Sequence, residues 1–282
     1  TMHGHQTQAY TDLLTSFGWQ TIQINGHNLE EVLGAYNAAI DAKDKPVMII
    51  AKTSKGKGIS FLADKLGWHG KALNEKQLRD ALSELGEIKY KITAELNQPE
   101  DLQPYQANKN NVPVIALDQN KMATRKAYGI GLVNIFHRFP HIVALDGEVS
   151  NSTYSETFKN HYPNHYFEMF IAEQNMVGVA LGLSLRGKIP FVSSFAAFLT
   201  RAFDQIRMSQ YSNSNIKFIG SHAGVSIGED GPSQMGLEDI AMFRTNLEGV
   251  VLYPSDAVST VKLIEQAARH KGNVYIRTTR MD

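Results

Sequence analysis

The sequence predicts an α/β protein, a parallel sheet with helices on both faces. From Val114 onward, short apolar runs alternate with stretches of helical periodicity, and repeated strand–helix units pair their strands in parallel. Residues 46–51 (PVMIIA) are nearly all apolar, which fits a strand covered on both faces. Polar residues follow the strands at Asp146, Ser193-Ser194, Ser221-His222 and Arg280, and such sheets hold ligands beyond the carboxyl ends of their strands.

In chain order, 20–24 reads as a strand. Asn28 is placed to cap a helix, with Glu31 at capping-box spacing. Residues 29–43 then carry apolar side chains at helical intervals. After the 46–51 strand, Asn74 opens another helix and 87–97 reads as one more. Residues 98–111 (QPEDLQPYQANKNN) are polar and aperiodic with two prolines, as in an interdomain linker. Beyond it, 123–139 is a helix with Tyr128, Leu132, Ile135 and Phe139 on one stripe. A strand at 141–145 ends at Asp146-Gly147, and a helix over 173–185 stops at Gly187. A strand at 190–192 precedes a helix over about 196–209. A strand at 216–220 runs into a glycine-rich loop ending at Gly236. A helix at 237–244, a strand at 250–253, a helix at 256–270 capped by Ser255 and a strand at 273–276 complete the pattern. The expected organisation is 1–97, a linker at 98–113, and a domain at 114–282.

Composition excludes several classes. Twenty-eight basic residues balance 28 acidic ones, so no global field draws the chain to nucleic acid or an anionic membrane. There is no cysteine, which removes disulfides, thiolate catalysis and zinc–thiolate sites and is compatible with a cytoplasmic setting. No apolar run approaches the roughly 20 residues that span a bilayer. The start, Thr1-Met2-His3-Gly4-His5, is no signal peptide and reads as opening mid-segment.

Four stretches could carry chemistry. Glu173, in FIAEQNM, sits at a helix start, where a carboxylate also simply suits the helix dipole. The run FAAFLTRAF at 195–203 puts Phe195, Phe198 and Ala202 on one helical face, which serves a core or a slot for a flat ring. The loop SHAGVSIGEDGPSQ at 221–234 has three glycines and a proline, and a long loop inside a compact domain is usually functional. KTSKGKG at 52–58 is a basic turn that could cradle a phosphate but lacks the P-loop pattern. His69, in WHG, has no partner legible in sequence. The pairs His137/His141 and His161/His165 each enclose a proline and lack a zinc-protease glutamate, which argues against metal.

Together these blocks resemble transketolase, especially its animal-type branch. IAEQNM at 171–176, SSFAAFLTRAFDQIRM at 193–208 and SHAGVSIGEDGPSQMGLED at 221–239 carry the resemblance most strongly. AKTSKGKGIS at 51–60, GWHGKAL at 67–73, MATRKAYG at 122–129, LDGEVSNSTYSETF at 145–158 and YIRTTR at 275–280 follow in family order. The resemblance implies the end of a diphosphate-binding domain followed by a pyrimidine-binding domain, with the active site between the subunits of a homodimer. It implies thiamine diphosphate with Mg²⁺, whose ligands are expected upstream of Thr1, because the Gly-Asp-Gly motif is absent. Asp146-Gly147 with Asn175 mimics that motif's spacing but falls in pyrimidine-domain blocks.

By resemblance, Glu173 bonds the pyrimidine of the cofactor, which serves as electron sink for cleavage of a ketose phosphate. Phe195 and Phe198 would hold that ring. Lys55, His69 and Gln234 would contact cofactor or sugar, and His69, His222 and Asp230 would bind hydroxyls or move protons. Arg125, Ser152, His222 and Arg280 would grip the sugar phosphate. Glu148 stands where the family has an interface aspartate, and Gln234 where its yeast and plant branch has histidine. Two other readings are an inert transketolase-like fragment acting as a binding protein, and a related thiamine enzyme such as deoxyxylulose-phosphate synthase.

Overall fold

The computed structural model describes residues 2–87 and 121–281, together with 93–95, 98 and 114–118. The chain divides into two compact units, Thr1–Glu100 and Asp101–Asp282. The helix expected over 87–97 and the linker over 98–113 lie, apart from single positions, outside the described residues.

The first unit contains α1 (Thr7–Ser16), β1 (Gln20–Asn25), α2 (Leu29–Asp41), β2 (Val47–Lys52) and α3 (Glu75–Leu85). Strands β1 and β2 pair in parallel, Gln20 opposite Val47. Asn28 caps α2 through the backbone N–H groups of Glu30 and Glu31. The capping box expected there does not close. The Glu31 carboxylate accepts instead from the Asn25 N–H at 2.6 Å and the Asn28 side-chain amide at 2.9 Å, because the turn brings a second orphan donor within reach. A complete box forms at α3, between Asn74 and Gln77. β2 is half-buried, with its last two residues exposed, not covered on both faces. An all-apolar run reports tolerance of burial, whereas the number of layers comes from neighbouring elements. Helix α1 escaped the sequence reading because its N-cap, Gln6, makes no side-chain cap.

The second unit is a six-stranded, fully parallel sheet in the order β4-β3-β5-β6-β8-β7. Its strands are β3 (Ile142–Asp146), β4 (Tyr166–Glu168), β5 (Ile189–Phe195), β6 (Lys217–Ser221), β7 (Val250–Leu252) and β8 (Val274–Arg277). Its helices are α4 (Thr124–Ile135), the short α5 (Ser150–Thr153) and α6 (Glu156–His161), α7 (Glu173–Leu185), α8 (Phe203–Ser209), α9 (Asp239–Arg244) and α10 (Ala257–Arg269). Alternate strand residues feed two separate cores. Ile142, Ala144, Phe191, Ile219, Val274 and Ile276 pack with α4, α6 and α10. Val143, Leu145, Val192, Phe218 and Tyr275 pack with α7, α8 and α9. Helices therefore cover both faces, as the strand–helix alternation predicts.

Three expectations are corrected. The helix over 196–209 is a 3-10 turn, Phe198–Ala202, followed by α8. Phe195 is the last residue of β5, paired opposite Ser221, so it shares no helical face with Phe198 and Ala202. Ladder pairing with β6 extends the strand past the point where periodicity alone would end it. Asp256, not Ser255, caps α10, because only Asp256 stands three residues before its box partner Ser259. The 123–139 helix ends at Ile135, yet its stripe holds: Tyr128, Leu132 and Ile135 are buried and Phe139 packs against them.

Helix α4 rests directly on the turn after β3. A Cβ placed on Gly129 would lie 2.2 Å from the Tyr154 carbonyl oxygen. Gly129→Ala is therefore expected to destabilise the second unit by about 2–3 kcal/mol through overpacking. Thermal unfolding measures this, and an unchanged midpoint would show that helix and turn can separate freely.

Candidate active site

Polar groups converge at the carboxyl ends of β3, β5, β6 and β8. Glu173 is the first residue of α7 and only 4% exposed. Its Oε1 accepts a hydrogen bond from Arg201 Nη1 at 2.5 Å. The helix N-terminus adds a favourable field for the carboxylate. The Arg201 guanidinium also lies over the Phe198 ring, 4.4 Å from its centroid. Phe198 stacks on Phe195 at 4.9 Å and 11°, and Phe195 stacks on the His222 imidazole at 3.8 Å and 16°. A cation over one ring face, two stacked aromatic rings and a stacked imidazole thus make consecutive contacts beside a buried carboxylate.

His222 follows β6 with φ +55°, a left-handed conformation that a non-glycine residue holds only at some cost. Its Nδ1 shares a 2.6 Å hydrogen bond with the Ser221 hydroxyl, and its Nε2 lies 4.0 Å from Asp230. Burial pushes the imidazole down to about 4, reinforced by Arg125 and Arg280 and opposed by Asp230. At neutral pH the ring is uncharged and can accept a proton at one nitrogen.

Two arginines stand around it. Arg125, in the first turn of α4, donates from Nη1 to the Ser152 carbonyl at 2.9 Å and lies 5.2 Å over the Tyr154 ring. Ser152 thus meets Arg125 through its backbone. Arg280 donates to Asp230 and Glu229, each at 2.8 Å, and to the Ile227 carbonyl. It ties the glycine-rich loop to the chain after β8. Gln234 lies in a 3-10 turn of that loop and its Oε1 accepts from the Ser233 hydroxyl.

Lys55 and His69 belong to the first unit, and both are exposed there. The Lys55 carbonyl accepts from the Asp64 N–H at 3.0 Å. Beside His69, Trp68 packs on Phe61, and the Lys71 ammonium lies 5.0 Å over the Trp68 ring. Of the residues singled out by sequence, the second unit gathers Glu173, Phe195, Phe198, His222, Asp230, Arg280, Arg125, Ser152 and Gln234 at one end of its sheet. Among the described residues no three His, Cys, Asp or Glu side chains gather to hold a metal ion, and no helix is long and apolar enough to cross a membrane.

Sequence reasoning missed three contributors. Arg201 was visible only as one letter of an aromatic run. Asp239, fully buried, accepts from the Tyr275 hydroxyl at 2.6 Å and from Arg277 Nε at 2.8 Å. Arg277 also donates to the Gly236 carbonyl at 3.0 Å, closing the glycine-rich loop. Asp146, read as a polar strand end and a mimic of the metal motif, is a buried acceptor for three donors. An acidic residue in an otherwise apolar strand end was the one available signal for it.

Comparison with known proteins agrees with this geometry. A family model described as "Transketolase, pyrimidine binding domain" matches residues 120–282, and one described as "Transketolase, thiamine diphosphate binding domain" matches residues 2–127. Mouse transketolase is 48% identical over 281 residues, covering 98% of this chain and 45% of the mouse protein. Human transketolase is 46% identical over 282 residues, with the same coverage. The chain thus spans under half the length of these relatives. Among solved structures, a split-gene transketolase, described as an inactive β4 tetramer, is 44% identical with a TM-score of 0.51, covering 57% of this chain and 52% of that one. Transketolase from Campylobacter jejuni shares the fold at a TM-score of 0.76 and 20% identity, covering 95% of this chain and 47% of that one.

Proposed function

The chain belongs to the transketolase family, and from that premise we propose that it contributes to a thiamine-diphosphate-dependent transfer of a two-carbon ketol unit from a ketose phosphate to an aldose phosphate. On this reading the first unit is the end of the diphosphate-binding domain and the second is the pyrimidine-binding domain. The whole enzyme is a cytoplasmic homodimer with the site between subunits and Mg²⁺ on the diphosphate; no residue of this chain is proposed as a metal ligand.

One observation carries the reading. The planar Arg201 guanidinium lies on the Phe198 face and gives an N–H to the buried Glu173 carboxylate. A flat heterocycle with a ring nitrogen needs the same two contacts, so the residues present fit an aminopyrimidine. When bound, thiamine diphosphate supplies a thiazolium ring that accepts the electron pair of the broken C–C bond.

The chain's own residues do the rest. Glu173 holds or shares a proton at the pyrimidine nitrogen, and Phe195 and Phe198 fix the ring plane. Arg201, half-exposed, would have to leave the Phe198 face for the ring to rest there. His222, uncharged at neutral pH, accepts from or donates to a substrate hydroxyl, with Asp230 beside it. Arg125 and Arg280 bind the sugar phosphate, and Ser152 holds Arg125 in place. Lys55, His69 and Gln234 are proposed at the cofactor and sugar.

The test is transfer between xylulose 5-phosphate and ribose 5-phosphate with thiamine diphosphate and Mg²⁺ added. Activity of the full-length protein supports the reading, and its absence there refutes it. For the chain by itself a second reading is favoured: it is inert alone, since its 44%-identical split-gene relative is described as inactive.

Arg280→Ala in the full-length enzyme is expected to raise KM for phosphorylated sugars about tenfold with kcat nearly unchanged, since a phosphate grip is largely uniform binding. Arg280 already rests on two carboxylates, so the phosphate must draw it from them. An unchanged KM removes Arg280 from the site.

A further inference from the structure

We propose that Asp146 is a positioning residue: it holds the turn that receives Arg125 and so fixes where that guanidinium stands. Only the consequence for phosphate binding rests on the functional reading above. Asp146 ends β3 with no solvent exposure. One carboxylate oxygen accepts from the Val149 N–H at 2.7 Å, and the other from the hydroxyls of Thr153 at 2.7 Å and Ser155 at 2.8 Å. Thr153 and Ser155 are themselves fully buried.

All three donors lie within residues 149–155, the stretch containing α5, a single turn with no side-chain cap of its own. Its end at Tyr154 is left-handed, φ +63°, and the Tyr154 carbonyl packs under Gly129 of α4. One helical turn earlier, Arg125 donates to Ser152 and covers the Tyr154 ring. Asp146 therefore reaches Arg125 through one short segment, with a direct contact at each step. Burial pushes the Asp146 carboxyl up to about 6 against the pull of its three donors. A buried carboxylate this fully hydrogen-bonded specifies one arrangement of its surroundings.

The test uses the whole chain with Arg125→Ala and with the double variant Thr153→Val/Ser155→Ala. The double variant strips Asp146 of two donors without removing any charge around His222, which faces Phe195, Ser221, Asp230, Arg125 and Arg280. Two quantities are read: the His222 titration by NMR, and affinity for ribose 5-phosphate against ribose by calorimetry. Arg125→Ala removes a positive charge that holds His222 down, so its midpoint rises. The double variant is expected to raise it too, by about half a pH unit. It should also weaken ribose 5-phosphate about tenfold, as Arg125→Ala does, and leave ribose unaffected. Combining all three substitutions should add nothing further.

An unmoved His222 midpoint in the double variant overturns the proposal. Should the midpoint move in both variants while ribose 5-phosphate affinity stays constant, Asp146 positions Arg125 and the phosphate reading of Arg125 falls instead. If the double variant fails to fold, Ser155→Ala alone is measured, with the same outcomes at smaller size.

Discussion

Glu173→Gln in the full-length enzyme is expected to cut transfer activity by about 10²–10⁴-fold, the usual worth of a positioned acid or base. The melting temperature should hardly move. Glutamine keeps the size of the side chain and an acceptor for Arg201, which now bonds Oε1 at 2.5 Å. It cannot take or share the proton that the proposed chemistry requires. Steady-state kinetics beside thermal unfolding separates the two effects. Near-normal turnover would sink the assignment of Glu173, and with it the reading of the aromatic slot. A large drop in melting temperature would instead make the carboxylate a structural partner of Arg201.

Asp239→Ala is expected to be the most damaging change to stability, at about 3–5 kcal/mol, the cost of removing one member of a buried ion pair. Asp239 has no exposure and Arg277 is only 11% exposed, so the cation left behind has little access to water. The Tyr275 hydroxyl loses its acceptor at the same time. Denaturant unfolding of Asp239→Ala, Arg277→Ala and the double variant gives the coupling directly. A loss below about 1 kcal/mol would mean that the Phe243–Tyr275 stack, at 3.9 Å, holds this region without the pair. Because Arg277 also fixes the Gly236 carbonyl, the same variant should loosen the glycine-rich loop.

Local rules placed most elements. The helix over Glu173–Leu185 has the bounds that its apolar pattern and the following glycine predict. The alternation of Ile142, Val143, Ala144 and Leu145 does supply two cores in turn. Failures occur where a partner distant in sequence decided the outcome. Phe195 joined β5 because β6 lies alongside it. β2 lost the cover that its apolar run would tolerate, because its sheet has two strands in this unit. The short elements α5, α6 and β4 carry too few residues for any period to register.

The candidate site divides in the same way. Glu173, the phenylalanines, His222, Arg125 and Arg280 were legible as types in recognisable blocks. The roles of Arg201, Asp239 and Asp146 were not, since each depends on a partner well separated in sequence: Glu173, 28 positions from Arg201, Arg277, 38 from Asp239, and Ser155, 9 from Asp146. By itself the sequence determined the parallel α/β class, the absence of thiol chemistry and the family, because period, composition and long motifs are properties of the chain alone. The tertiary structure alone decided which charges are buried and which donors meet them: that Arg201 lies on Phe198, that Asp239 anchors Arg277, and that Asp146 holds the turn beneath Arg125. Which side chains are buried, and most of the donors that meet them, depend on segments far apart in sequence, which no local pattern encodes.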